Sequence, residues 1–215
     1  MLGLLAANLP LLMRGVGVTL MLTALAGIMA TLCGLALAFV QLFGGRVVRI
    51  IAEICLYVVR GVPLLVLLFA MYYALPYAGI VMDPMTGGAL VIGLYFAAFM
   101  AEVFRGAMLA VPQGQWEAGR SIGLRTPGIL RHIVLPQAIR VASPPYINTV
   151  IMLVKGTSLV SVIGLSDVTF VGVQIVERTL APFEIFGAVA VIYFLINFAL
   201  SRCGIWLERK TGFVH

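Results

Sequence analysis

Long stretches without a single charged residue constrain this chain more than any other feature. No Asp, Glu, Lys or Arg occurs between Arg14 and Arg46, and the residues in between are mostly apolar. About 20 apolar residues are enough for a helix to cross a bilayer, so this stretch is predicted to be a membrane span. Only 10% of the 215 residues are charged, against about 25% in soluble domains, which excludes an ordinary soluble fold.

The same pattern recurs further along the chain. We expect a single transmembrane domain over residues 1–215 with five spans, at about residues 15–42, 51–75, 88–109, 138–165 and 183–207. The start of the chain lacks the basic region of a signal peptide. A short interfacial helix is expected there instead, leading into the first span.

The distribution of basic residues predicts the orientation. Ten of the 14 lysines and arginines lie just after the first span, in the segment over residues 105–140, or in the tail from Arg202 onward. Because cytoplasmic loops carry the excess of Lys and Arg, these three places are predicted to face the cytoplasm. The N-terminus is then outside and the C-terminus inside. These charges do not form the stripe of a nucleic-acid surface, so no nucleic-acid partner is expected.

The connection over residues 110–137 is too long for a turn and too polar for a span. Pro112 suits the first position of a helix and Pro127 suits its end, which predicts a cytoplasmic helix of about a dozen residues. A second short helix is predicted over residues 128–135, with Pro136 ending it. Two short helices outside the membrane are typical of a docking surface.

Residues in this connection resemble the EAA loop of the permeases of bacterial ABC importers. That pattern is Glu-Ala-Ala, three residues, Gly, nine residues, then Ile-x-Leu-Pro. In this chain every anchor but one is in register: Glu117, Ala118, Gly119, Gly123, Ile133, Leu135 and Pro136. The departure is at Gly119, where glycine stands in place of the second alanine of the pattern. Both are small residues.

Further motifs resemble the polar amino acid permeases of this family. They follow in the expected order: Arg60-Gly61-Val62-Pro63, Ala101-Glu102-Val103-Phe104-Arg105-Gly106, Leu135-Pro136-Gln137-Ala138-Ile139-Arg140 and Lys155-Gly156-Thr157-Ser158-Leu159. The resemblance covers essentially the whole chain. It implies an all-α, type I ABC importer permease fold in a bacterial inner membrane, with five transmembrane helices and a cytoplasmic coupling-helix loop.

The resemblance also implies partners. An ATP-binding cassette subunit would receive the coupling helix, and a second permease subunit, an identical copy or a paralogue, would complete the path through the lipid bilayer. An extracytoplasmic solute-binding protein would deliver the amino acid. ATP and Mg would sit on the cassette subunit, so this chain is expected to carry no cofactor and to be no enzyme. It has no G-x-x-x-x-G-K-[ST] phosphate loop.

The residues of the predicted coupling helix suit such a contact. Small residues at Ala118, Gly119 and Gly123 would let the helix enter a narrow groove, where Glu117 would meet a basic residue. Arg120 would steer docking electrostatically. The alternative is a GxxxG packing face of Gly119 and Gly123, but this segment is too polar for a membrane helix.

Lys155 lies inside a predicted span, where a charge is costly and indicates function. Together with the hydroxyls of Thr157 and Ser158 it suits a substrate carboxylate. The alternatives are pairing with a neighbouring carboxylate or snorkelling to the interface. Asn148 and Thr149 are polar residues on the same helix. They indicate either that this helix lines the path or that it hydrogen-bonds to other helices.

Arg60 also lies inside a predicted span, beside the helix-breaking residues 61–63. Such a break can mark a binding site or a gate. The interpretation that we favour is a structural salt bridge with Glu53 or Glu102. Because Glu102 and Arg105 are three residues apart, they are predicted to pair on one helix face.

Two other classes of function compete with the importer. A secondary transporter or channel not driven by ATP would leave the docking helix unexplained. An intramembrane enzyme would need a nucleophile or metal ligands, and no metal site is expected because His132 and His215 are too few and too far apart. The absence of a carboxylate near Lys155 favours a neutral or acidic amino acid as the solute.

Overall fold

The structure is a computed structural model that describes residues 2–210. Its α-helices are α1 Leu2–Phe43, α2 Arg46–Gly61, α3 Leu64–Phe69, α4 Pro84–Leu109, α5 Gln113–Ser121, α6 Thr126–Ile129, α7 Leu135–Gly156, α8 Val168–Thr179 and α9 Pro182–Lys210. Turns of π or 3-10 helix occupy Ala70–Ala74, Leu75–Ala78, Leu130–Val134 and Thr157–Ile163. No strand occurs between residues 2 and 210, so the expected all-α class is confirmed. The predicted cytoplasmic C-terminus, with His215, lies outside the described residues.

Helix α1 is continuous and much longer than the first predicted span. Its 42 residues extend about 63 Å at 1.5 Å per residue, about twice the thickness of the hydrocarbon core of a bilayer. The expected short lead is therefore not a separate helix. Pro10 lies inside α1 without ending it, since one proline removes a single backbone hydrogen bond and the flanking turns continue the helix.

Small residues let α1 and α4 approach closely. They recur every four residues on both helices, at Ala26, Ala30, Gly34 and Ala38 and at Ala89, Gly93, Ala97 and Ala101. A Cβ atom on Gly34 would lie 2.6 Å from the Cβ of Met100 and 3.0 Å from the carbonyl oxygen of Ala97. Because lipid gives helices no hydrophobic reason to associate, close packing of this kind holds membrane helices together.

The contacts show that α1 and α4 run in the same direction. Leu22 on α1 lies beside Gly88 near the start of α4, while Gly34 lies beside Met100 further along both helices. The chain must therefore return along this pair between Phe43 and Pro84. Helices α2 and α3 make the return. Within residues 2–210, four helical segments are long and apolar enough to cross a membrane, and this pair makes a possible fifth.

The predicted span at 51–75 is not a straight helix. The helical segments on either side of the break, Arg46–Gly61 and Leu64–Ala78, are bent by 97°. Val62 between them is extended, with φ −96° and ψ 131°. A residue before a proline is disfavoured in the α region, so Pro63 forces this break.

The fourth membrane segment begins earlier than predicted. Helix runs without interruption from Thr126 to Ile163, so the predicted helix over residues 128–135 does not end at Pro136. A π turn precedes this proline, in which the N–H of Leu135 donates to the carbonyl of Leu130. The wider turn relieves the clash that a proline ring makes with the preceding turn of a regular helix.

The last two long helices complete an alternating arrangement. Helix α7 runs opposite to α4, since Phe104 and Tyr146 pack with ring centroids 6.0 Å apart and Gly156 lies against Phe96. Helix α9 runs opposite to α7, since Gly204 lies against Ile147 while Tyr193 interacts with Thr157 just after α7. The end of α1, the α5–α6 connection and the end of α9 therefore lie on one side. That this side faces the cytoplasm stays a prediction.

Replacing Gly34 by alanine should weaken the α1–α4 contact. The added methyl group forces a backbone shift, and overpacking of this kind costs about 1–3 kcal/mol. The measurement is the thermal unfolding midpoint of the purified permease. Gly27→Ala on the same helix is the control, because a Cβ there meets nothing within 4 Å. Equal midpoints for the two variants would contradict the close approach.

Candidate coupling hairpin and translocation path

Helix α5 ends in a glycine-dependent cap. The N–H of Gly123 donates to the carbonyl of Arg120 at 2.9 Å, and the N–H of Leu124 donates to the carbonyl of Gly119 at 3.1 Å. This is the Schellman arrangement, which needs a left-handed residue after the helix. Gly123 supplies it with φ 81°. Gly123, rather than Pro127, therefore ends the helix, and Pro112 (φ −55°, ψ 140°) precedes it rather than opening it.

Gly119 faces the inside of the hairpin formed by α5 and α6. It is buried, and a Cβ there would lie 2.8 Å from Cγ1 of Ile129 and 3.0 Å from Cδ1 of Ile133. Its small size therefore serves packing within the chain. At position 123 glycine is required by the left-handed backbone conformation, which disfavours a residue with a Cβ atom. Of the three small residues expected to fit an outside groove, Ala118 and Gly123 are exposed and Gly119 is buried.

The outer surface of α5 also carries two charged residues of the predicted coupling set. Glu117 is exposed and accepts a hydrogen bond from Nε2 of Gln113 at 3.1 Å, and Arg120 is also exposed. Sequence reasoning missed Ile122, which follows α5 and is 74% exposed. An apolar side chain so exposed on a polar hairpin is the signal that could have found it.

The hairpin is anchored to the long helices by one apolar cluster. Trp116 from α5 and Ile129 and Val134 from the second arm pack against the ends of α1 and α4, through Ala38 and Met108 among others. Ile133 and Leu135 are half-buried in the second arm, while Pro136 is exposed. Packed side chains therefore connect α5 to the transmembrane helices.

The predicted path residues on α7 separate onto two faces. Asn148 and Lys155 are exposed on one stripe, together with Met152 between them. Lys155 has no ion pair with any residue between 2 and 210, so the carboxylate pairing considered above is not found within this part of the chain. Thr149 lies on the other face, where its hydroxyl donates to the carbonyl of Pro145 at 2.8 Å.

The two hydroxyls after Lys155 are bonded to the backbone. Thr157 is buried and donates to the carbonyl of Val154 at 2.7 Å. Ser158 is half-buried and donates to the carbonyl of Lys155 at 2.7 Å. Both bonds hold the tight 3-10 turn that follows α7 and leave the lone pairs of the oxygens available as acceptors.

Arg60 belongs to a charged cluster centred on Glu102. Its Nη2 lies 3.8 Å from Oε1 of Glu102, and Nη2 of Arg105 lies 2.7 Å from Oε2. The predicted Glu102–Arg105 pair is confirmed. The partner of Arg60 is Glu102 and not Glu53. These were the two partners considered for a structural salt bridge. The break after α2 brings Arg60 to this position.

Asp167 is a buried carboxylate that the sequence did not single out. It caps α8 by accepting from the N–H of Phe170 at 2.9 Å, and it accepts from the hydroxyl of Tyr193 on α9 at 3.1 Å. Burial raises the pKa of Asp167, and the hydrogen bonds to it act in the opposite direction. An Asp directly before an apolar helix is the N-cap pattern that could have identified it.

Comparison with known proteins decides the family. The model of binding-protein-dependent transport system inner membrane components matches residues 30–212. The chain belongs to this family. It is 36% identical over 204 residues to the glutamine transport system permease protein GlnP of Escherichia coli, covering 94% of this chain and 93% of that protein. It is 35% identical over 202 residues to the L-cystine transport system permease protein TcyB of Bacillus subtilis, covering 94% and 86%.

A solved structure agrees with this family assignment. A crystal structure of an amino acid ABC transporter with histidines matches with a TM-score of 0.90 and 32% identity, covering 96% of both chains. The resemblance stated from the motifs is thereby confirmed, as is the type I importer fold. A family member is a permease subunit of an ABC importer, which decides against a secondary transporter or channel.

Replacing Gly123 by valine should loosen the end of α5. A left-handed conformation costs a residue with a Cβ about 1–2 kcal/mol, so the last turn should fray. Hydrogen–deuterium exchange of the α5 amides measures this, and exchange should become faster. Gly114→Val is the control within the same helix, because a Cβ there meets nothing within 4 Å. Unchanged exchange in the Gly123 variant would refute the role of this cap.

Proposed function

We propose that this chain forms half of the membrane path of an ATP-driven importer for polar amino acids. Relatives named for glutamine and L-cystine support a polar amino acid as the solute. Lys155 is exposed and has no ion pair within residues 2–210. It favours a solute that carries a free carboxylate and no cationic side chain, which is a neutral or acidic amino acid. The membrane would be a bacterial inner membrane, with the N-terminus outside and the C-terminus in the cytoplasm.

The proposal that this chain is coupled to ATP hydrolysis rests on the exposed surface of α5. Ala118 and the 74% exposed Ile122 offer apolar surface to a groove on an ATP-binding cassette subunit. Glu117 and Arg120 border this surface with charges of both signs, which orient a partner. In this proposal the cassette subunit holds ATP and Mg and performs the hydrolysis, and this chain is not an enzyme.

The hairpin would act as a lever on the transmembrane helices. Docked on the cassette subunit, α5 would follow that subunit when ATP closes the nucleotide-binding dimer. The apolar cluster around Trp116 and Ile129 would then carry the movement to α1, α4 and α7, because close-packed interiors transmit displacement rather than absorb it. Alternating access follows if these helices reorient together, and hydrolysis would reset the inward state.

The exposed stripe of α7 would face a second permease subunit, either an identical copy or a paralogue. Asn148, Met152 and Lys155 on this stripe would line the path between the two subunits. Lys155 would attract the carboxylate of an amino acid that an extracytoplasmic solute-binding protein releases. Ser158 would add an acceptor for the ammonium group at the end of the same stripe.

Replacing Ile122 by aspartate should abolish docking. A buried, unpaired carboxylate in an apolar groove is strongly unfavourable, so the cassette subunit should no longer copurify with the permease. Leu180→Asp is the control, because Leu180 is equally apolar and 84% exposed but lies in the connection between α8 and α9, away from the hairpin. Copurification that survives in the Ile122 variant would show that α5 does not bind the cassette subunit here.

Replacing Lys155 by methionine should reduce uptake while the complex still assembles. Methionine keeps the length and apolar stem of the side chain but removes the charge that attracts the carboxylate. ATP-driven uptake in proteoliposomes should fall about tenfold or more, the value of one charge-assisted hydrogen bond. Lys155→Arg is the matched control and should retain most of the uptake. Loss of assembly in the methionine variant would instead assign Lys155 a structural role.

A further inference from the structure

An apolar cavity lies on the hairpin side of the long helices, between α1, α4 and α7. Its volume is about 460 Å³, within the range of about 300–1,000 Å³ that is typical of small-molecule sites. Leu35 on α1 and Ile139 on α7 are the exposed members of its lining, so the cavity opens between these two helices. Neither the path nor the coupling surface proposed above uses it.

The inside of the cavity suits a hydrocarbon chain. No charged residue lines it, and its three hydroxyl groups already donate to other atoms. Thr31 donates to the carbonyl of Gly27 at 2.7 Å, which leaves Tyr146 to donate to Oγ1 of Thr31 at 3.0 Å. Ser143 donates to the carbonyl of Ile139 at 2.8 Å. A polar ligand group would find no donor there, whereas an apolar one gains the dispersion contacts that an empty cavity forfeits.

Arg140 borders the opening of the cavity. It follows Ile139 in the chain and lies about one helical turn from Ser143, and both of these residues line the cavity. The side chain of Arg140 is exposed and has no ion pair with any residue in the described range 2–210. Nothing proposed so far gives this charge a role.

The position of Arg140 along α7 places it at the predicted surface of the membrane. Tyr146 packs against Phe104 on the antiparallel helix α4. Arg140 lies six residues before Tyr146, and α4 ends at Leu109, five residues after Phe104. At 1.5 Å per residue these distances are about 9 Å and about 7.5 Å. Arg140 is therefore level with the end of α4, where the predicted span also ends.

The opening faces away from the surface proposed for the second permease subunit. That surface is the stripe of α7 that includes Asn148 and Lys155. Ile139 precedes Asn148 by nine residues, and Tyr146 precedes Lys155 by nine, which is about two and a half turns of a helix. The cavity and the stripe therefore lie on opposite faces of α7, so the cavity opens toward lipid rather than toward that subunit.

We propose that this cavity holds an acyl chain of an anionic phospholipid, whose phosphate is bound by Arg140. A guanidinium group pairs with phosphate oxygens through two parallel hydrogen bonds, and basic pockets between transmembrane helices bind anionic headgroups on the cytoplasmic side. No acidic residue lines the cavity, so the ammonium group of a zwitterionic lipid gains no partner there. The proposal depends on the membrane fold and not on the identity of the solute.

A bound acyl chain would also brace the base of the hairpin. Ala107, Met108, Ala138 and Ala142 line the cavity and belong to the apolar cluster that anchors the hairpin to the long helices. A ligand that binds only the folded state stabilises that state. An anionic phospholipid should therefore raise the thermal unfolding midpoint of the permease.

The test uses the full-length permease, with any subunits that copurify, in nanodiscs of phosphatidylglycerol and phosphatidylcholine in equal amounts and with identical acyl chains. Native mass spectrometry measures which lipid the released protein retains. Phosphatidylglycerol should be retained about tenfold or more over phosphatidylcholine, as expected for a hydrogen bond between charged groups. The unfolding midpoint should also be higher in phosphatidylglycerol alone than in phosphatidylcholine alone.

The variant Arg140→Gln removes the charge and should abolish both the preference for phosphatidylglycerol and the difference in midpoint. Arg49→Gln is the matched control and should behave like wild type. Arg49 is also exposed on the hairpin side, but it lies on α2, which does not line the cavity. Ala142→Leu fills the cavity and should lower the retention of both lipids, because the acyl chain loses its place.

The proposal is overturned if the wild type retains both lipids equally, or retains none, or if Arg140→Gln keeps the preference. An equal loss in Arg49→Gln would show that the net charge of this side attracts the lipid, and would also overturn it. So would a wild-type dimer free of lipid, since a second copy would then cover the opening. Because Arg140 is exposed, its variant should fold even where Ala142→Leu does not, and it keeps the test decisive.

Discussion

The close approach of α1 and α4 is the contact on which the rest of the fold depends. Small residues every fourth position let two backbones meet where Gly34 touches Met100 and Ala97. Since both helices run in the same direction, the chain between them has to return along the pair. The return is made by a broken segment, and the break at Val62 and Pro63 carries Arg60 to Glu102. A packing requirement in the membrane thus determines where a charged cluster forms.

The pairing of α1 and α4 also forms the base on which the hairpin packs. The ends of α1 and α4 lie together, and their side chains Ala38 and Met108 form the floor on which Trp116 and Ile129 pack. Gly119 allows the two arms of the hairpin to close, and Gly123 ends the first arm in a left-handed turn. The motif glycines therefore build the shape of the hairpin, whereas the contact surface proposed for it consists of the side chains around Ala118 and Ile122.

Two charged residues of the long helices, Glu102 and Lys155, are in opposite physical situations. Glu102 is held between two arginines, so its charge is compensated within the chain. Lys155 has no partner among residues 2–210 and projects from α7 on an exposed stripe. An uncompensated charge at membrane depth is unfavourable unless something binds to it, and this difference supports the proposal that Lys155 belongs to the path.

The helical class, the family and the position of the hairpin follow from the order of the residues, because hydrophobic length and motif spacing are local properties of the chain. The pairing of Glu102 with Arg105 was equally local, being set by the helical repeat. Four features became visible in the folded chain alone: Gly119 faces inward, helix continues through Pro136, the second span is bent by 97°, and Gln41 lies beside Glu102. A small residue has the same sequence signature whether it meets its own chain or a partner. Which face of a helix is covered, and which buried atoms find no partner, depends on the neighbours that folding places against it.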